Sequence, residues 1–181
     1  MYDRPLTIEQ NLTMLAATPQ RIADITEGLP PAQLLRPPEA GTWSARDVLA
    51  HLRACADMWG KYIGIILSED RPTFRAVNPT SWIKQTNYRE LAFHPSLQAF
   101  TAQRVELLAA LQPLAPEAWM CTALVTGAGK PRERTVQTYA QWLANHEQSH
   151  IKQIERIVNT LRTERRGTTS KEEGAHGDAS R

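Results

Sequence analysis

The sequence predicts an all-α fold, a four-helix bundle with a long crossover between the second and third helices. Three observations carry this reading. Apolar residues recur at three-four spacing in four separate segments, and no segment reads convincingly as a strand. Ser44 and Thr135 stand at N-cap positions just before two of those segments. Residues 69–94 form a connection long enough to start the third helix at the far end of the bundle. The chain has 181 residues, 41% hydrophobic and 22% charged, which suits one domain with a proper core.

The first helix covers about 7 to 28, with Ile8, Leu12, Leu15, Ile22, Ile25 and Leu29 in phase. Pro19 interrupts it, but the phase continues beyond the proline, which predicts a kink and not a stop. "GLPP" then ends the element. The second helix opens at "TWSARD", where Ser44 is the cap and Asp47 its acidic partner three residues on. Its stripe is Val48, Leu52, Cys55, Trp59, Ile63 and Ile66, and "SEDRP" closes it.

The connection that follows carries Phe74, Trp82, Tyr88 and Leu91, so it is expected to pack on the body, with a short helix of its own. Pro95 suits the first turn of the third helix, whose stripe is Leu97, Phe100, Arg104, Leu107, Leu108 and Leu111. "PLAPEAWM" breaks it, and the glycine-containing loop "TGAGKPRER" leads to Thr135. That loop is no phosphate cradle: position 124 is Leu where glycine is needed, and Pro131 follows Lys130. The fourth helix is expected to end near 162, giving a bundle domain over 1–162. The tail 163–181 has no large apolar residue and is expected to be disordered.

Net charge is +2, so nothing favours nucleic acid or an anionic membrane as a partner. Arg162, Arg165 and Arg166 are interleaved with Glu164 and read as a solvated helix end. The longest aliphatic run, "IGIIL", falls far short of the ~20 residues of a membrane span. The N-terminus shows no secretory h-region, and Cys55 and Cys121 make no disulfide framework; the expected location is the cytoplasm.

"NHEQSH" raises the functional question. The fourth helix has a stripe at Tyr139, Leu143, His146, His150, Ile154, Ile157 and Leu161, so both histidines are expected to point inward. Val48, His51, Cys55, Met58 and Tyr62 keep the same spacing in the second helix and bring His51 to the inward face or its margin. Three buried imidazoles without partners would each cost about 1–3 kcal/mol. One divalent cation satisfies all three, and neutral imidazoles suit zinc, nickel, iron and copper. Three protein ligands leave a coordination position open for water or substrate.

"HEQSH" also matches the H-E-x-x-H pattern of zinc peptidases, but the third ligand is missing. Glu155 and Glu164 lie on the same helix, while Glu172, Glu173 and His176 lie in the tail. His94 and His176 are read as bystanders. Glu147 is expected to be a solvated side chain, with a general-base role the alternative. Arg104 is read as a structural ion pair or a carboxylate receptor, and Asp47 as a helix cap before a support for His51. Cys55 is expected to be a small core residue or an approach to the cation. Trp59 and Tyr62 are expected to pack the bundle or line its pocket.

Several stretches resemble the DinB-like superfamily, which includes thiol-dependent S-transferases and maleylpyruvate isomerases. "TWSARDVLAHL" resembles its second-helix signature, and "NHEQSHIKQI" its last-helix signature. "FTAQRVELLAAL" and "TVQTYAQWLANHE" are similar to the segments between them. The resemblance covers roughly 7 to 160 and implies a four-helix bundle with a crossover. His51, His146 and His150 match the family's three metal-ligand positions. It further implies a bacterial protein, often a homodimer, holding Zn, Ni or Fe, with a low-molecular-weight thiol such as mycothiol, bacillithiol or glutathione as cosubstrate in some members and hydrolysis in others. Two functions follow as expectations. One is an enzyme acting on a small molecule by thiol transfer or hydrolysis at an open three-histidine site. The other is a non-catalytic, stress-linked metal-binding or interaction protein, which a fourth ligand such as Cys55 would favour.

Overall fold

The computed structural model describes residues 5–175. Four long helices dominate it: α1 (Ile8–Thr26), α3 (Ala45–Ser68), α5 (Phe93–Leu111) and α7 (Val136–Ala175). Shorter helices α2 (Pro31–Leu35), α4 (Pro79–Trp82) and α6 (Pro116–Trp119) punctuate the connections. α1 and α3 each pack against both α5 and α7, so α1 and α3 occupy opposite corners of the bundle, as do α5 and α7. Among the described residues, no helix is long and apolar enough to cross a membrane.

Local chemistry accounts for the helix starts. Thr7 and Gln10 form a capping box at α1, and Ser44 and Asp47 another at α3. Asp47 is therefore the cap that the sequence suggests. The Thr135 hydroxyl accepts from the Thr138 amide at 3.0 Å and caps α7. α1 passes unbroken through the buried Pro19, in keeping with the continuous phase of its stripe. α7 runs to Ala175, beyond the end expected near 162. A helix satisfies its own backbone, so it outlasts its last large apolar residue, Leu161. The expectation for the end of the tail, His176 included, falls outside the described residues.

The all-α reading needs one correction. A small three-stranded sheet exists, in the order β1 (Thr73–Arg75), β2 (Thr122–Thr126), β3 (Arg132–Thr135). β1 runs parallel to β2, and β3 antiparallel to it. "GKPRER" is thus half turn and half strand, with Gly127 and Gly129 at φ 83° and 84° in the hairpin connection. Pairing sets the faces: Phe74, Val125 and Arg132 share one register row, and Ala123 opposes Arg134. Phe74 stacks on Tyr62 of α3 at 4.4 Å, which fastens the sheet to the bundle. The rest of the long connection also packs. The Tyr88 hydroxyl donates to Asp57 at 2.6 Å, and the Arg53 guanidinium lies 3.9 Å from the Tyr88 ring centre.

The core falls into two apolar clusters. One contains Ile22, Leu49, Leu52, Phe100, Ile154 and Val158; the other contains Leu15, Met58, Ile63, Leu111, Tyr139 and Leu143. Between them along the helices lie Thr18, Cys55, Arg104 and Glu147, all buried, one from each long helix. The histidines of α7 border this polar layer.

Candidate metal centre

α3 carries His51 and Cys55 one turn apart, and α7 carries His146 and His150 one turn apart. Because α3 and α7 pack together, the two pairs meet across one seam. His146 Nε2 lies 3.1 Å from His51 Nε2 and 3.2 Å from His150 Nε2. Ligand nitrogens around a tetrahedral cation lie about 3.4 Å apart at normal bond lengths, and each of these two separations is compatible with a shared divalent ion. His150 Nδ1 meets Gln153 Oε1 at 2.8 Å; donating there leaves its Nε2 lone pair for the cluster. His146 Nδ1 is buried without a protein hydrogen-bond partner among the described residues.

Electrostatics favour the ligating form. Burial pushes His51 down to about 4, with the His150 charge adding to the effect. Burial likewise takes His146 down to about 3, helped by its two histidine neighbours. His150 is lowered by burial against the pull of Gln153. The rings are therefore neutral at pH 7, as metal ligation requires. This carries a stability consequence. The unfolded chain binds more protons than the native one once pH drops below the ordinary histidine value of about 6.5. Stability is thus lost as pH falls from there through about 4 towards about 3. In metal-free protein the urea midpoint is expected to drop over that interval, and to drop less in His146→Ala.

Cys55 is closer to the cluster than a mere core filler needs to be. Its Sγ lies 3.6 Å from His51 Nε2 and 3.9 Å from His146 Nε2. Among the described residues, His51, Cys55 and His146 form a group whose ligating atoms lie within 4.8 Å of one another and could hold a metal ion. Burial, reinforced by Glu147, pushes the free thiol up to about 12. Without a cation it stays protonated.

Trp43 and Trp59 wall the cluster. Trp43 stacks on His150 at 6.3 Å and lies 5.3 Å from His51, while Trp59 stands edge-on to His146 at 5.1 Å. Sequence reasoning named Trp59 but treated Trp43 only as part of the helix-opening motif. Its position directly before the cap of the helix that bears His51 is the signal that could have found it.

Glu147 departs from its expected place. It is 0% exposed and paired with Arg104 of α5. α7 packs on both α1 and α3, so its buried arc is wide. Ala140, Leu143, Glu147, Ile151, Ile154 and Val158 lie in that arc, and the half-buried His146 and His150 flank it. Burial lifts the Glu147 carboxyl above its usual range, while Arg104 opposes the shift. Arg104 is the structural ion pair of the two readings the sequence offers. His94 is exposed at the start of α5 and is not part of the cluster. Tyr62 packs under the sheet.

The fold is shared with YfiT from Bacillus subtilis, described as "a probable metal-dependent hydrolase with an unusual four-helix bundle topology". The TM-score is 0.70 at 19% identity, over 86% of this chain and 90% of that one. No curated protein matches the chain. The pattern of the DinB superfamily matches residues 14–154, from α1 to the helix bearing both histidines, and the chain belongs to that superfamily.

Proposed function

We propose that the chain is a metal-dependent enzyme that transforms a small molecule by hydrolysis or by transfer of a low-molecular-weight thiol, with His51, His146 and His150 as the metal ligands. One observation carries the reading: three neutral imidazoles cluster by their Nε2 atoms, that of His146 lying 3.1 Å from His51 Nε2 and 3.2 Å from His150 Nε2. A divalent cation there, Zn, Ni or Fe, supplies Lewis acidity that makes water or a thiol nucleophilic at neutral pH. The chain supplies the rest. Gln153 holds the ring of His150 in place. Trp43 and Trp59 limit water around the rings. Glu147, held by Arg104 and 0% exposed, fixes α7 and does not reach a substrate entering from solvent. The hydrolase reading of the B. subtilis neighbour supports the water branch, and the superfamily resemblance supports the thiol branch. The test is a turnover screen of metal-loaded protein with small esters, amides and electrophiles, each with and without added thiols. Turnover that disappears on chelation and returns with metal is expected; none under any condition would sink the proposal.

The position of Cys55 favours a second reading, a closed non-catalytic site. A thiolate and an imidazole on one tetrahedral cation sit about 3.6 Å apart, and the observed separations are 3.6 and 3.9 Å. Cobalt-substituted protein separates the two. Open three-histidine ligation predicts no sulfur-to-metal charge-transfer band in the near ultraviolet. A band present in the wild type and lost in Cys55→Ser establishes the closed site. The proposed setting is the cytoplasm, and the proposed assembly is a homodimer, which sedimentation would test.

A further inference from the structure

A second feature adjoins the cluster. Between the small sheet and helices α3 and α7 lies a cavity of about 190 Å³. Its walls include the rings of Trp59, Tyr139 and Trp142, and its rim carries Lys130, Arg132 and Arg134. Strand alternation places the cations. Arg132 and Arg134 are two apart in β3 and project to one face, while Glu133 between them pairs with Arg71 at 2.7 Å. Among the described residues, none of the three cations has an ion-pair partner. The Arg134 guanidinium is already held 4.8 Å from the Trp142 ring centre. Trp59 belongs both to the cavity wall and to the histidine cluster, so a ligand seated here lies beside the candidate metal centre.

Aromatic walls recognise a flat apolar body, and three uncompensated cations at one rim recognise negative charge on it. The volume is below the ~300 Å³ at which drug-sized pockets begin, which limits the occupant to about one or two rings with short substituents. We propose that this cavity binds a small organic carboxylate with a flat apolar body, its ring between Trp59, Tyr139 and Trp142 and its carboxylate at Arg132 and Arg134. This names the substrate class of the reaction proposed above and rests on that reading only for the chemistry that follows binding.

The experiment therefore uses metal-free protein, so that failure of the metal proposal cannot be mistaken for failure of this one. Tryptophan fluorescence is titrated with 2-naphthoate and with 2-naphthalenemethanol, which keeps the ring and removes the charge. The carboxylate is expected to bind at least tenfold more tightly, and the preference to shrink as salt is raised. The Arg132→Ala/Arg134→Ala variant should bind both probes alike. Arg132→Glu, at an exposed position, should disfavour the carboxylate even if the double variant fails to fold. His146→Ala should retain the preference. Equal affinity for the two probes overturns the proposal. So does a preference unchanged in the rim variants, or one lost in His146→Ala, which would put the carboxylate on the histidines.

Discussion

Purified His146→Ala is expected to carry almost no divalent metal, against about one equivalent per chain in the wild type. His146 is the middle ring of the three proposed ligands: its Nε2 is within 3.2 Å of both other imidazole nitrogens. Its removal leaves His51 and His150 on separate helices with an unfilled gap between them. Loss of groups that merely support a ligand already costs about 10–100-fold in affinity, so loss of the ligand itself should cost more. The comparison variant is His94→Ala, an exposed position at the start of α5 that should leave metal content unchanged. Elemental analysis of both proteins after identical purification decides the matter. Equal metal in His146→Ala and wild type would rule out a metal centre at the three histidines, and any chemistry would have to be sought elsewhere in the molecule.

Glu147→Ala is expected to be the most damaging change to stability. Arg104 and Glu147 are 2% and 0% exposed and paired with each other. Removing the carboxylate strands a guanidinium in the core, where an uncompensated charge costs about 3–5 kcal/mol. Arg104 Nε and Nη1 already have no protein partner, so the layer has few groups to compensate the loss. Arg104→Met/Glu147→Leu removes both charges and fills the space with aliphatic atoms. It should be neutral or more stable than the wild type, because desolvation offsets most of a buried pair's attraction. Urea unfolding of the single and double variants completes the cycle. A Glu147→Ala loss below about 1 kcal/mol would mean that the pair is solvated, as exposed pairs are.

The four long helices were legible because each buries a stripe at a period the sequence repeats several times. Thr135 and Ser44 were legible as starts because capping is a local matter. The sheet was not. β1 has three residues and β3 four, too few to display an alternating pattern. β1 pairs with β2 from beyond the third long helix, and no local signal reports such a distant partner. "TALVT" does hold β-branched residues beside a glycine turn, the one clue that was available. In the site, spacing alone was enough to bring His51, His146 and His150 together as candidates. Glu147 was misplaced because a periodic stripe assumes one partner face, while α7 lies in the groove between two helices. How near Cys55 comes to the cluster depends on how α3 and α7 approach each other, which spacing along one helix does not encode.

Residues 146 and 147 are neighbours in the chain but look across different gaps, His146 towards α3 and Glu147 through the middle of the bundle to α5 at the opposite corner. A turn of α7 about its own axis by one residue, roughly 100°, would unseat both together. The helix is therefore indexed twice at a single step, once by charge and once by imidazole. Mutations that loosen the charge index should broaden the orientations open to His146, so drift in the fold and drift in the coordination angle become one and the same motion.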